Sequence, residues 1–201
     1  NPELYLGLAQ QTSFDINWLT SHERFHGHEF PGIWRVYSSL SSDFSKRVQF
    51  GSSLNFGRYI ARNLSTPVLG RGYQYTLRLT LKPVERMVIE PRLQYATLDQ
   101  PRADATGQRQ NIFSGYILRT RLQYQFTREL FLRTIVQYDD FGKYLQIDPL
   151  LSYKLNPYTV AFLGSSHGYQ DFKPADVAPG EDGLKEAARQ FFVKFQYLFQ
   201  I

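Results

Sequence analysis

Hydrophobic and polar side chains alternate along nearly the whole chain, most clearly from Tyr73 to Lys82. Tyr73, Tyr75, Leu77, Leu79 and Leu81 fall on one face of an extended strand, and Gln74, Thr76, Arg78, Thr80 and Lys82 on the other. A period of two marks a strand lying between two different environments. The end of the chain repeats it: Phe191, Val193, Phe195, Tyr197, Phe199 and Ile201 alternate with Phe192, Lys194, Gln196, Leu198 and Gln200. The pattern predicts about ten strands, at 3–20, 32–42, 47–61, 72–82, 86–98, 112–126, 129–139, 143–155, 157–170 and 188–201.

Four predicted links are tight, at 43–46, 82–85, 127–129 and 156–157, and polar or Gly/Pro-bearing stretches at 21–31, 62–71, 99–111 and 171–187 separate them. The link at 139–142 is short where a long one is expected. Short turns on one side and long loops on the other are the asymmetry of outer-membrane barrels. Tyr73, Tyr95, Tyr116 and Tyr138 fall near one end of their greasy rows; Phe126, Tyr153, Tyr158, Tyr197 and Phe199 fall near the other. Such rows suit amphipathic rings at two membrane interfaces. The expected fold is therefore all-β: an antiparallel up-and-down transmembrane β-barrel, one domain over 1–201, in a Gram-negative outer membrane. A soluble sandwich would need a partner sheet over each greasy face, yet nearly every strand here has a polar face as well.

Composition refines this picture. Aromatics make up 16% of the 201 residues, with 14 Tyr and 16 Phe, more than a soluble sandwich needs. The mean hydropathy of −0.39 is what averaging a polar and an apolar face produces, and no run reaches the roughly 20 apolar residues of a membrane helix. The net charge of +5 comes from Lys and Arg scattered singly along strands, which argues against a nucleic-acid partner. With no Cys, disulfides and thiolate metal sites are excluded.

The polar rows carry the candidate chemistry. Arg78, Lys82, Arg92, Arg119, Arg121, Arg133, Lys154 and Lys194 face Glu90, Glu129 and Asp148 across the expected lumen. In an open, porin-like pore this basic lining would favour anions. In a narrow barrel the same side chains would pair and fill the interior, leaving a membrane anchor or scaffold. Enzymatic activity is not expected. An omptin-like site would draw on Asp99, Asp139, Asp140, His167 and Asp171, but carboxylates in such loops are usually turn residues. A phospholipase-like site would need His167 beside Ser165 or Ser166, and sequence neighbours in a strand point to opposite faces. His22, His26 and His28 with Glu23 and Glu29 could bind a divalent metal, but a solvated loop is the simpler reading. No cofactor or metal is expected.

The last residues, with Phe195, Tyr197, Phe199 and Ile201 in the outward row, resemble the C-terminal signal read by the barrel-assembly machinery, though the chain ends in Ile rather than an aromatic. The segments 121–133 (RLQYQFTRELFLR) and 155–164 (LNPYTVAFLG), with the final FVKFQYLF, resemble the C-terminal barrel region of a family of large bacterial outer-membrane proteins of unassigned function. The resemblance covers roughly 112–201. It implies a family-9-like carbohydrate-binding module elsewhere in the protein and transfers no catalytic residue. It also implies that 1–201 are the last strands of a larger barrel, completed by further strands or a partner chain. The other route to closure is pairing of the strand at 3–20 with that at 188–201. Expected partners are outer-membrane lipid, the assembly machinery and other envelope proteins.

Overall fold

A computed structural model describes residues 2–9, 11–62, 64–103, 109–172 and 183–198, with backbone alone at 101–103, 109 and 172. Eleven strands follow one another: β1 (Glu3–Leu8), β2 (Thr12–Phe25), β3 (His28–Ser45), β4 (Val48–Ala61), β5 (Val68–Leu81), β6 (Met87–Ala103), β7 (Arg109–Gln125), β8 (Leu130–Asp139), β9 (Tyr144–Asn156), β10 (Thr159–Phe172) and β11 (Gly183–Tyr197). They form one sheet in sequence order, an antiparallel up-and-down meander, with β1 and β11 at the two ends of the order. No helix occurs among the described residues.

Nine of the ten predicted strands are found with shifted ends; the first is corrected. The stretch 3–20 is two strands, because the chain reverses at 9–11, where Gln11 takes a φ of 50°. Leu4, Leu6 and Leu8 then face Ile16, Phe14 and Thr12 across the hairpin. The loop expected at 21–31 is likewise a tight hairpin. His26 and Gly27 have φ of 48° and 80°, and positive φ at both central residues is what a mirror-image hairpin turn requires. Strands also extend into the other stretches expected to be loops, leaving 62–67 and, outside the described residues, 104–108 and 173–182.

Short polar side chains close the turns by one recurring device. Ser45 Oγ accepts from the backbone N–H of Arg47 (3.2 Å) and Val48 (3.0 Å). Thr127 Oγ1 accepts from Glu129 (3.2 Å) and Leu130 (3.0 Å), and Asp139 Oδ1 from Phe141 (2.9 Å) and Gly142 (3.2 Å). Asn156 Oδ1 accepts from Tyr158 (2.9 Å). Ser45, Asp139 and Asn156 sit at the last strand position and Thr127 two residues past the end of β7, and each satisfies donors that the ladder no longer reaches.

The chain divides into two compact units, residues 1–79 with 93–116 and residues 80–92 with 117–201. In the first, Phe30, Ile33 and Ile60 form a small buried cluster with Phe25 and Leu69 packed against it, beside the β2–β3 turn. In the second, ring-over-backbone packing is prominent: Phe192 lies over Gly164 and Tyr144 over Gly168, where a Cβ would fall 2.3 Å and 1.9 Å from ring atoms.

Gly57 joins β4 to β3 at closest approach. Its φ is 150°, and a Cβ there would lie 2.2 Å from the Trp34 carbonyl oxygen. Gly57→Ala is expected to cost about 2–3 kcal/mol, read as a shift in the urea unfolding midpoint of detergent-solubilised protein. Gly27→Ala, with open space around its Cβ position, should cost only about 1 kcal/mol for its positive φ.

Candidate functional site: the polar face and the groove beside the aromatic row

Antiparallel partners directly opposed across a ladder share a face, so the registers sort side chains without reference to shape. In the second unit, Leu118, Leu122 and Tyr124 oppose Tyr138, Thr134 and Leu132 on one face. Leu132, Val136 and Tyr138 in turn oppose Leu151, Ile147 and Leu145, and Leu151 and Tyr153 oppose Leu163 and Ala161. Val193, Phe195 and Tyr197 of β11 continue this face. It is apolar and none of the described residues covers it: Leu163 is 56% exposed, Phe191 68% and Phe195 73%. Phe199 and Ile201, the other outward residues of the expected assembly signal, lie outside the described residues.

The opposite face holds most of the charged residues singled out in the sequence. Arg121 ion-pairs with Glu90, and Arg92 shares the Glu90 face two residues along β6. Arg119 opposes Gln137, and Arg133 lies between Gln123 and Leu150. Asp148 accepts from Gln146 Nε2 (2.9 Å) and Ser166 Oγ (2.5 Å). Lys194 opposes Phe162, its Nζ 5.9 Å from the ring centre, and Lys154 opposes Val160. Glu129 differs from expectation: it precedes β8 in the turn, where its carboxylate accepts from Thr127 Oγ1 at 3.0 Å. In the first unit Arg78 faces Gly51, whose partner Ser41 lies on the polar face of β3.

This polar face is not uniformly wet. Phe131, Ile135, Leu150, Phe162 and Phe192 also point to it, by register with Gln125, Arg121, Arg133, Ser152 and Gly164. Their sequence signal is the apolar doublet (Ile135-Val136, Leu150-Leu151, Phe191-Phe192), which interrupts strict alternation. Ser152, opposite both Phe131 and Phe162, is fully buried, and its hydroxyl has no hydrogen-bond partner among the described residues.

The remaining candidates separate cleanly. Asp139 closes its turn, Asp140 binds Lys143 Nζ (2.5 Å), and Asp99 accepts from Asn111 Nδ2 (2.7 Å). His167 is brought to none of them; its Nε2 lies 3.0 Å from Ser165 Oγ. Ser166 does point to the opposite face, but Ser165 is two residues away and shares the His167 face, with Phe191 and Arg189 opposite. The expectation that strand geometry separates serine from this histidine is therefore corrected. His22 Nε2 is 3.7 Å from Glu29 Oε2 and His26 stacks on Phe25, and no metal-holding group of three or more ligands occurs among the described residues.

In the first unit the apolar face carries an aromatic row that the sequence showed only in part. Trp18 stacks on Trp34 (5.9 Å), Trp34 meets Phe56 edge-on (5.9 Å), and Tyr73 packs against Tyr95 (5.6 Å). Tyr95 OH and Ser114 Oγ are 2.8 Å apart. Toward the β2–β3 turn this row gives way to a groove of about 880 Å³ holding Arg58 and Arg71.

Comparison with protein-family models, curated proteins and solved structures finds no match to this chain.

Removing the orphaned hydroxyl removes a desolvated group with no compensating bond. Ser152→Ala is expected to be neutral or to raise stability by about 1 kcal/mol. Ser152→Asp should instead cost several-fold more, by burying a charge there. The unfolding midpoints of the two variants check both signs.

Proposed function

We propose that this chain is a membrane-embedded β-sheet of the bacterial outer-membrane barrel kind. Its role would be that of an anchor or scaffold with a side-chain-filled interior, rather than an open channel. The observation that carries the reading is the uncovered apolar face. Leu4, Leu6, Ile16 and Trp18 in the first unit, and Leu118, Val136, Leu163 and Phe195 in the second, are all exposed large hydrophobics. Each lies on the face opposite the charged residues. A soluble sheet with such a face would aggregate; a lipid-facing sheet requires it. The ion pair at Arg121–Glu90, the Asp148 cluster and the inward Phe131, Phe162 and Phe192 support a filled polar side. The excess of unpaired Arg and Lys there would make any residual pore anion-selective.

In lipid an unpaired sheet edge costs several kcal/mol per open group. The outer edges of β1 and β11 would therefore be completed by each other, by further strands or by a partner chain. The resemblance of 112–201 to barrel regions that accompany a carbohydrate-binding module belongs to this proposal. The sheet would then hold such a module at the cell surface.

Val136→Lys on the apolar face should cost about 2–4 kcal/mol in lipid or detergent, whereas Gln123→Lys on the polar face should cost less than about 1 kcal/mol. Equal, small effects in a detergent-free monomer would overturn the membrane reading. Planar-bilayer recording should show no steady conductance; a steady anion-selective current would replace the scaffold with a channel.

One observation favours a second reading. A serine hydroxyl within hydrogen-bond reach of an imidazole is the nucleophile–base pair of acyl transfer. Ser165 and His167 present that pair on the face that would meet lipid esters. Under the scaffold reading, phospholipid vesicles containing the protein release no fatty acid. Release that disappears in Ser165→Ala would establish a lipid hydrolase instead.

A further inference from the structure

The groove beside the aromatic row points to a specific lipid site. It is lined by Glu29, Trp34, Arg58, Leu69, Arg71 and Gln100. Arg71 also borders an adjoining depression of about 580 Å³ floored by Leu54, Phe56 and Tyr73, with Asp99 at its side. Arg71 and Tyr73 are two apart on β5 and so share a face. The guanidinium thus stands about 7 Å along the strand from the tyrosine, on the otherwise greasy side. This is an unusual place for a charge: on a lipid-facing row an arginine at depth costs several kcal/mol unless it meets an anion or reaches the interface.

Glu29 borders the groove and Asp99 the depression, but among the described residues neither forms an ion pair with Arg58 or Arg71. Arg58 spends one Nη on the Gly32 carbonyl (3.3 Å), and neither Arg58 nor Arg71 makes an ion pair among the described residues. The nearby carboxylates are engaged elsewhere. Glu23 is held by Arg35 (2.9 Å) and Arg62 (2.8 Å), Glu29 faces His22 at 3.7 Å, and Asp99 accepts from Asn111 at 2.7 Å. Among the described side chains at this end of the unit, five arginines (24, 35, 58, 62 and 71) face three carboxylates (23, 29 and 99). The surplus is positive, and Arg58 and Arg71 carry it toward the aromatic row.

Resting on the membrane reading above, we propose that Arg58 and Arg71 bind the phosphate of a phosphate-bearing lipid. The lipid's acyl chain would lie along Leu54, Phe56 and Tyr73. The chemistry is that of guanidinium to phosphate, a charge-assisted pairing that Arg makes through two parallel N–H donors. Trp34 and Tyr73 supply the amphipathic rings that belong at headgroup depth. The groove volume accommodates a glycerophosphate headgroup, and the apolar floor of the depression beside Arg71, formed by Leu54, Phe56 and Tyr73, accommodates a chain. A single site then reads both halves of an amphiphile, which free phosphate would not satisfy.

The test uses the full 201-residue chain in detergent, with native mass spectrometry after addition of phosphatidic acid, an uncharged diglycosyl diacylglycerol, or inorganic phosphate. Wild-type protein should retain phosphatidic acid about tenfold over the uncharged lipid, by loss of one charged hydrogen-bonding contact. Inorganic phosphate should not be retained. Arg71→Gln should lower the preference several-fold, and Arg58→Gln with Arg71→Gln should bring it to parity. Arg47→Gln, in the β3–β4 turn, should leave it at the wild-type level. Since Arg71 makes no hydrogen bond or ion pair among the described residues, its single variant tests the site without depending on the Arg58–Gly32 contact. Equal retention of charged and uncharged lipid by wild-type protein, or no change in Arg71→Gln, overturns the lipid site while leaving the membrane reading intact. Retention of inorganic phosphate without lipid preference overturns the lipid in favour of a free-anion site. Failure of the wild-type chain to enter detergent micelles at all would instead defeat the membrane reading itself.

Discussion

Most of this structure answers to one constraint: outside the small Phe30, Ile33 and Ile60 cluster, the strands carry an apolar face that is left largely exposed among the described residues. A sheet in that position has to place the face against lipid or against another molecule, because exposed patches of this extent are not tolerated in water. The same constraint dictates the period. Only a two-residue repeat keeps Leu118, Leu122 and Tyr124 on one side while Arg119, Arg121 and Gln123 stay on the other. It also dictates the turns. Where backbone donors leave the ladder they must be met locally, and Ser45, Thr127, Asp139 and Asn156 do this from the ends of their strands or the turn just beyond.

The polar face obeys a second, weaker demand. Charges taken from bulk water need partners, and some have them: Glu90 for Arg121, the Gln146 and Ser166 donors for Asp148, the Phe162 ring for Lys194. Arginine and lysine outnumber carboxylates on this face, so pairing alone cannot neutralise it. Aromatic rings take up the remaining space. Phe192 covers Gly164 and Tyr144 covers Gly168, with each ring occupying the gap that a missing Cβ leaves on the neighbouring strand. A face built of ion pairs and rings resting on glycine is closer to a packed interior than to a water-filled bore.

The fold class was legible in the sequence because lipid-type alternation is strong, and the errors have physical causes. The β1–β2 reversal went unread since Leu4, Leu6, Leu8, Phe14, Ile16 and Trp18 are all even-numbered. A three-residue turn preserves that parity, so the alternation runs through it unbroken. No Gly, Pro or Asn marks the turn either; Gln11 takes the positive φ. The 21–31 hairpin was mistaken for a loop because polar residues predominate there and Phe25 and Phe30 alone do not set a period, which hides the strand without removing it. Of the site, the charged rows were legible as rows. Their pairing was not, because alternation places a side chain on a face without saying which residue stands opposite. The Ser165–His167 contact was visible in the two-residue spacing and was missed because the opposite-face rule for sequence neighbours was applied to Ser165 as well as to Ser166.

Strand length accounts for where the chemistry collects. β3 has 18 residues, a path of roughly 60 Å at the usual rise, or roughly 45 Å along the membrane normal at a typical tilt. The apolar band of an outer membrane is only about 25 Å tall, so in the proposed setting strands of this length would outrun it. Beyond such a band both faces would meet water, and the side preferences would be free to change. They do so in the first unit: Phe30, Ile33 and Ile60 build a small core, and Ile33 opposes Ser21, placing it on the face that is polar farther along. Arg71 meanwhile stands on the greasy row. Under the membrane reading proposed above, this exchange of sides would mark the level at which the bilayer ends. An arginine there, beside tryptophan and tyrosine and without an ion pair among the described residues, would lie where phosphates of the lipid surface are concentrated.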